Sequence, residues 1–353
     1  MSVESYLRAA PKAELHVHLE GSIQPATLLE LARRNGVALP AEDVAGLRRW
    51  FVYRDFPHFM DIYFQITRCL RTRADYELIT VELAAELARQ NCRYAEVTFS
   101  ASTHSALGVP QDDWWGGLTD GRRRAREEHG VELRWVFDIV RNVEGPEENA
   151  RRADHTVTVA IEGMADGVVA LGLGGNEVGY PPERFAPFFD RALAAGLRSD
   201  PHAGEVAGPE SVWGAIRTLH ADRLGHGVRS IEDPALVAYL AEHRIPIEVS
   251  PTSNVRLGVS PSLEAHPFRH LREAGVIATV NSDDPPLFNA TLNDDVVALH
   301  NTMGMTVDEV DVVLIDAVRA SFAPEEERAE REAAYRAEMA ALRAERLTDV
   351  SSG

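Results

Sequence analysis

The chain has 353 residues, of which 45% are hydrophobic and 26% charged, a composition that excludes a disordered or fibrous protein and fits an ordinary folded enzyme. Its formal net charge of −19 opposes nucleic acid and anionic membrane surfaces as partners, since both require a basic face, and leaves small or neutral ligands. Cys69 and Cys92 are too few and too far apart for a disulfide framework or a thiolate metal site. The first residues lack the basic start and apolar stretch of an export signal, and no apolar run reaches the roughly 18 residues of a membrane span, so a cytoplasmic location is expected.

Along the chain, short apolar segments alternate with longer amphipathic ones, the rhythm of parallel βα units. Strands are predicted at 13–18, 93–99, 132–140, 167–173, 197–202, 223–225, 245–249 and 276–281. Eight suit a closed (β/α)₈ TIM barrel, a fold that commonly exceeds 250 residues as one domain, so residues 1–353 read as a single barrel domain. After the first strand, residues 25–90 show helical periodicity on either side of the aromatic stretch FVYRDFPHFMDIYFQ, and a helical insertion over the barrel mouth is predicted there. Trp114 and Trp115, following Asp112 and Asp113, read as packing aromatics at a helix start. LRSDP, just before His202, is more polar than a barrel strand should be, which blurs the start of the fifth strand. Residues 324–353 form a predicted C-terminal helical tail with Glu and Arg at helical spacing, expected to lie in solvent.

The chemistry gathers at strand ends. In LHVHLEG, His16 and His18 are two apart on a predicted strand, so both imidazoles point to one face, near the end where barrel enzymes build their sites. His202 in HAGE and Asp283 in NSDDP each close a further strand. Three imidazoles and a carboxylate are donors that Zn²⁺ accepts, with water completing the shell. A two-metal hydrolase bridged by a modified lysine on the fourth strand is the first rival, and residues 167–177 contain no lysine. One zinc per chain is therefore expected.

The segments PKAELHVHLEGS (11–22), LGLGGNE (171–177), HAGE (202–205), RLGHG (223–227), SPTSN (250–254) and NSDDPPLF (281–288) span nearly the whole predicted barrel. In this ordered set the chain resembles the adenosine deaminase family of the amidohydrolase superfamily. The resemblance implies that His16, His18, His202 and Asp283 bind zinc and that Glu205 and His226 carry proton chemistry. It also implies that His18, Glu20, Gly175 and Asp284 meet the substrate, with the Gly175 N–H at purine N3 and Asp284 at N7. These residue types suit the task, because attack at C6 of an aminopurine breaks aromaticity and expels a poor leaving group. Zinc lowers the pKa of water to about 7, Glu205 could protonate N1 and relay a proton to the amine, and His226 could take the water proton or steady charge at C6. A catalytically silent binding module, the second rival, is opposed by the complete set of ligand and proton-transfer residues.

Glu20 stands where adenosine deaminases usually carry Asp and adenine deaminases tend to carry Glu, whose extra methylene fills space a sugar would occupy. RLGHG, PTSNVRLG and SDDPPLF instead resemble nucleoside-acting members. The expected reaction is zinc-dependent deamination of adenosine or a 5′-modified nucleoside such as 6-amino-6-deoxyfutalosine, with adenine deamination as the alternative. A small-molecule purine is the expected partner, and nothing in the sequence specifies an oligomeric state.

Overall fold

In a computed structural model, which describes residues 2–347, all eight predicted strands form, with ends displaced by no more than two residues. They are β1 (Lys12–His18), β2 (Cys92–Phe99), β3 (Glu132–Val140), β4 (Val168–Gly174), β5 (Arg198–Ala203), β6 (Leu224–His226), β7 (Ile247–Val249) and β8 (Ala278–Val280). Neighbours pair in parallel in the order β1 to β8. The ring closes just past β8, where the His18 N–H donates to Asp283 O at 2.9 Å and the Asp283 N–H to His16 O at 3.0 Å. This is a (β/α)₈ barrel, and its C-terminal strand ends carry every residue discussed below as a candidate.

The polar fifth strand has a physical reason. Asp200 of β5 is buried in the barrel, where its Oδ2 accepts from the Arg223 guanidinium at 2.8 Å. Arg223 also donates to Glu96 of β2 and pairs with Glu248 of β7. A buried charge is tolerated when it is paired, so one arginine ties four strands through the barrel's interior and accounts for the polarity that blurs the start of β5 in the sequence.

Of the segment 25–90, the last helix, Arg73–Arg89, belongs to the outer ring, where it packs closely on the helix Gln111–His129. Gly117 permits the approach, since a Cβ there would lie 2.4 Å from Arg73 O. The helix Phe56–Thr67 is the part that reaches the barrel mouth, and its aromatic side chains roof the cavity described below. Trp114 is buried within the ring helix, as packing requires.

The terminal helix, Glu325–Arg346, is a cap rather than a solvated tail: it buries Tyr335 and Met339, and the Tyr335 hydroxyl donates to Lys12 O at 2.8 Å. Residues 348–353 of the expected tail lie outside the described residues. Lys12, the sequence's one lysine, is fully buried at the start of β1, its ammonium donating to Ala10 O, Arg8 O and Gln90 O at 2.6, 3.1 and 3.2 Å. Both cysteines are buried and free, and no described helix is long and apolar enough to cross a membrane.

Candidate metal and active site

Period-two geometry turns His16 and His18 inward together, as expected. The Nδ1 of His16 donates to Glu248 Oε2 at 2.8 Å, which leaves Nε2 aimed at the barrel axis without a hydrogen-bond partner. The His18 Nε2 lies 3.3 Å from His202 Nε2 and 3.3 Å from Asp283 Oδ1, and His16 Nε2 lies 3.6 Å from that same oxygen. Metal–nitrogen bonds of about 2.0–2.1 Å in a tetrahedron separate donor atoms by roughly 3.3–3.4 Å, so the atoms of His16, His18 and Asp283 lie near the spacing of a zinc-type ion, with His202 joined to them through His18. Asp283 Oδ2 is held by the Ser253 hydroxyl at 2.6 Å, which fixes the carboxylate's orientation. His226 also comes close, sharing a potential ligand cluster with His16 and His202. Asp283 and His226 both hold positive φ, +63° and +61°, a backbone conformation costly for side-chain-bearing residues.

Beside the donors, Glu205 is buried and receives no hydrogen bond to its side chain from another described residue; its Oε2 lies 3.7 Å from His226 Nε2. Burial, then the charges of Asp283 and Glu177, push its pKa well above the ordinary carboxylate range. Burial and the neighbouring His16 push that of His226 down to about 3, so its ring is neutral. Asp284 is likewise buried, with Oδ1 unpartnered, and rests where a Cβ on Gly21 would collide with it. Gly175 has φ +83°, and a Cβ there would lie 2.2 Å from Asn142 Oδ1, so only glycine fits.

These groups line one cavity, with about 570 Å³ of space when the solvent at its open mouth is counted. Its floor and rim include His18, Gly175, His202, Glu205, His226, Asp283 and Asp284, while Phe56, Phe59, Met60, Tyr63, Phe64 and Leu257 line the rest. His16 stands behind the wall. Glu20 departs from the expectation: a 3₁₀ turn over Glu20–Ser22 carries it away from the mouth, and it is fully buried behind the cavity rather than lining it. Its Oε1 accepts from His104 Nε2 at 2.8 Å and the Ser100 N–H at 3.3 Å, and its Oε2 from the Tyr63 hydroxyl at 3.2 Å.

Four further residues escaped the sequence reading. Ser100 and Asp138, at the ends of β2 and β3, both line the cavity. Glu177, in the turn after β4, accepts the N–H groups of Gly204, Glu205 and Val206 at 2.8–2.9 Å and the Ser211 hydroxyl at 2.6 Å. Arg141, buried after β3, donates to Leu173 O at 2.8 Å and to His202 O at 2.5 Å, tying β4 to β5 beneath the site. For Asp138 a signal was present, an acid interrupting the apolar run WVFDIV near a strand's end.

Converging imidazoles and a carboxylate at the strand ends, with an uncommitted acid alongside, are the equipment of barrel hydrolases that activate water on a metal. Comparison with known proteins narrows the class. The family model for adenosine deaminase matches residues 11–333. The chain is 42% identical to the aminodeoxyfutalosine deaminase of Streptomyces avermitilis, over 91% of this chain and 88% of that one. It is 39% identical to the adenine deaminase of Albidiferax ferrireducens, over 90% of each. Among solved structures, an adenine deaminase from Arthrobacter aurescens superposes with a TM-score of 0.86 at 31% identity, over 94% of this chain and 98% of that one. An amidohydrolase from Burkholderia ambifaria with bound Zn superposes with a TM-score of 0.86 at 26% identity, over 97% and 94%. The chain belongs to the adenosine deaminase family and is a hydrolytic aminohydrolase.

Proposed function

We propose that this enzyme is a zinc-dependent deaminase of a 6-aminopurine nucleoside, either adenosine or a 5′-extended relative such as 6-amino-6-deoxyfutalosine, yielding the 6-oxopurine and ammonia. His16, His18, His202 and Asp283 are the residues that would hold the ion, which when bound supplies a water acidified toward neutral pH. Glu205, kept protonated by burial, donates its proton to ring N1 as attack proceeds. The neutral His226 takes the proton shed by the attacking water and passes it to the departing amine, and Glu205 is reprotonated from the new C6 hydroxyl as the 6-oxo group forms. Asp284, whose pKa burial and Asp283 drive up, keeps its proton and donates a hydrogen bond to N7.

The observation that carries the nucleoside reading is the withdrawal of Glu20. The case for free adenine was that this longer acid fills the sugar's place, and three protein donors instead hold it behind the wall. The apolar roof of the Phe56–Thr67 helix suits a bulky, weakly polar 5′ group, and relatives 42% and 40% identical are named aminodeoxyfutalosine deaminases. Ammonia release from adenosine, 5′-extended adenosines and adenine tests the assignment. The expected result is a higher kcat/KM for a nucleoside; a value for adenine above every nucleoside overturns it.

A further inference from the structure

The cavity holds one buried acid that the reaction above leaves unused. Asp138 is 3% exposed, its Oδ1 accepts from the Ser100 hydroxyl at 2.6 Å, and its other oxygen receives no hydrogen bond from another described residue. That oxygen stands over Gly174, where a Cβ would lie 2.3 Å from it, so glycine is what makes room for the carboxylate at the wall. A buried acceptor with a free lone pair facing a cavity calls for a donor from the ligand.

Circular order shows which part of the ligand supplies it. From β8 through β1, β2, β3 and β4 to β5, the barrel brings Asp284, His18, Ser100, Asp138, Gly175 and Glu205 to the cavity in turn. A purine's perimeter, from N7 through C8, N9, C4, N3 and C2 to N1, is equally fixed. With Asp284 at N7, Gly175 at N3 and Glu205 at N1, the remaining arc puts C6 toward β6, where His226 stands, so the two circles agree at a fourth point. The N9 corner then faces the arc of β1 to β3, where Ser100 and Asp138 are.

We propose that Asp138, set in place by Ser100, is the specificity-determining acceptor for the hydrogen-bond donor on the N9 side of the substrate, a sugar hydroxyl. This rests on the deaminase reading and on its placement of the purine. The test compares wild type with Asp138→Ala and the isosteric Asp138→Asn, using adenosine, 2′-deoxyadenosine, 2′,3′-dideoxyadenosine, adenine and 9-methyladenine as substrates, with zinc content measured on each preparation. Wild type should lose about 10- to 100-fold in kcat/KM when the bonded hydroxyl is removed, the factor for a hydrogen bond to a charged group. Asp138→Ala should lose a similar factor on adenosine and little on the dideoxy analogue, so that discrimination collapses with zinc retained, and Asp138→Asn, which keeps one acceptor oxygen, should fall between Ala and wild type. An effect confined to adenine, absent with 9-methyladenine, keeps Asp138 as the N9-side acceptor and overturns the nucleoside reading. Equal losses on all five substrates, or none, overturn the role of Asp138. Should no substrate turn over, binding of inosine and of 2′,3′-dideoxyinosine to wild type and Asp138→Ala decides by the same comparison.

Discussion

Glu205 and His202 lie three residues apart, yet their surroundings assign them different work. His202 points at the donor cluster, while Glu205 faces the cavity, its carboxyl receiving no hydrogen bond from another described residue. In the proposed reaction, Glu205→Gln keeps the side chain's size and removes its proton, so kcat should fall by about 10²- to 10⁴-fold. Zinc content should not change; near-normal turnover, or loss of metal, would give Glu205 another role. His202→Ala should do the reverse, dropping metal from about one ion per chain toward none and activity with it. Metal analysis of both variants, alongside circular dichroism to verify the fold, separates ligand from proton carrier. Glu20 shows the limit of reading at this scale. Strand periodicity carries correctly through His18, but the next turn is set by Tyr63 and His104, 43 and 84 residues away, and no local pattern contains them.

Between single residues and the barrel, the loop that carries Glu205 is fixed by an acid on another element. Glu177 gathers four consecutive N–H groups, from Gly204 to Ala207, and a hydroxyl onto one carboxylate, locking the turn after β5 to the turn after β4. Its charge also helps raise the pKa of Glu205. Glu177→Ala leaves those buried donors without an acceptor, at about 1–3 kcal/mol each before water or rearrangement compensates. A kcat loss of about tenfold or more is expected with zinc retained, partly recovered in Glu177→Gln, which keeps one acceptor oxygen. If Tm falls while kcat holds, Glu177 braces the fold and nothing more. The sequence displayed this glutamate within LGLGGNE without revealing its partners, because a carboxylate's use depends on which N–H groups the fold delivers to it.

At the scale of the molecule, what was legible was what repeats. Alternating βα segments determine the barrel, and HVH, HAGE and NSDDP mark candidate donors because each sits at a strand's end and the barrel brings all strand ends to one face. What was not legible depends on the ring being closed. The polarity of β5 is explained by Arg223, which meets an acid 127 residues earlier in the chain as well as one within the strand. The terminal helix reads as solvated by its charge pattern, yet covers the opposite end of the barrel through Tyr335 and Met339.

Beneath that cap sits Lys12, ringed by three carbonyl oxygens and sealed from water. With no other lysine in the sequence, the folded surface offers acylating reagents no ε-amine at all. An N-hydroxysuccinimide ester should leave the Lys12-containing peptide unmodified in the native enzyme and label it fully in denaturant, as read by mass spectrometry. Rapid labelling under native conditions would show that the cap and β1 open independently of the rest. If they do not, the rate at which this amine becomes reactive is the rate at which the whole barrel comes apart, so the protein carries its own clock for global unfolding.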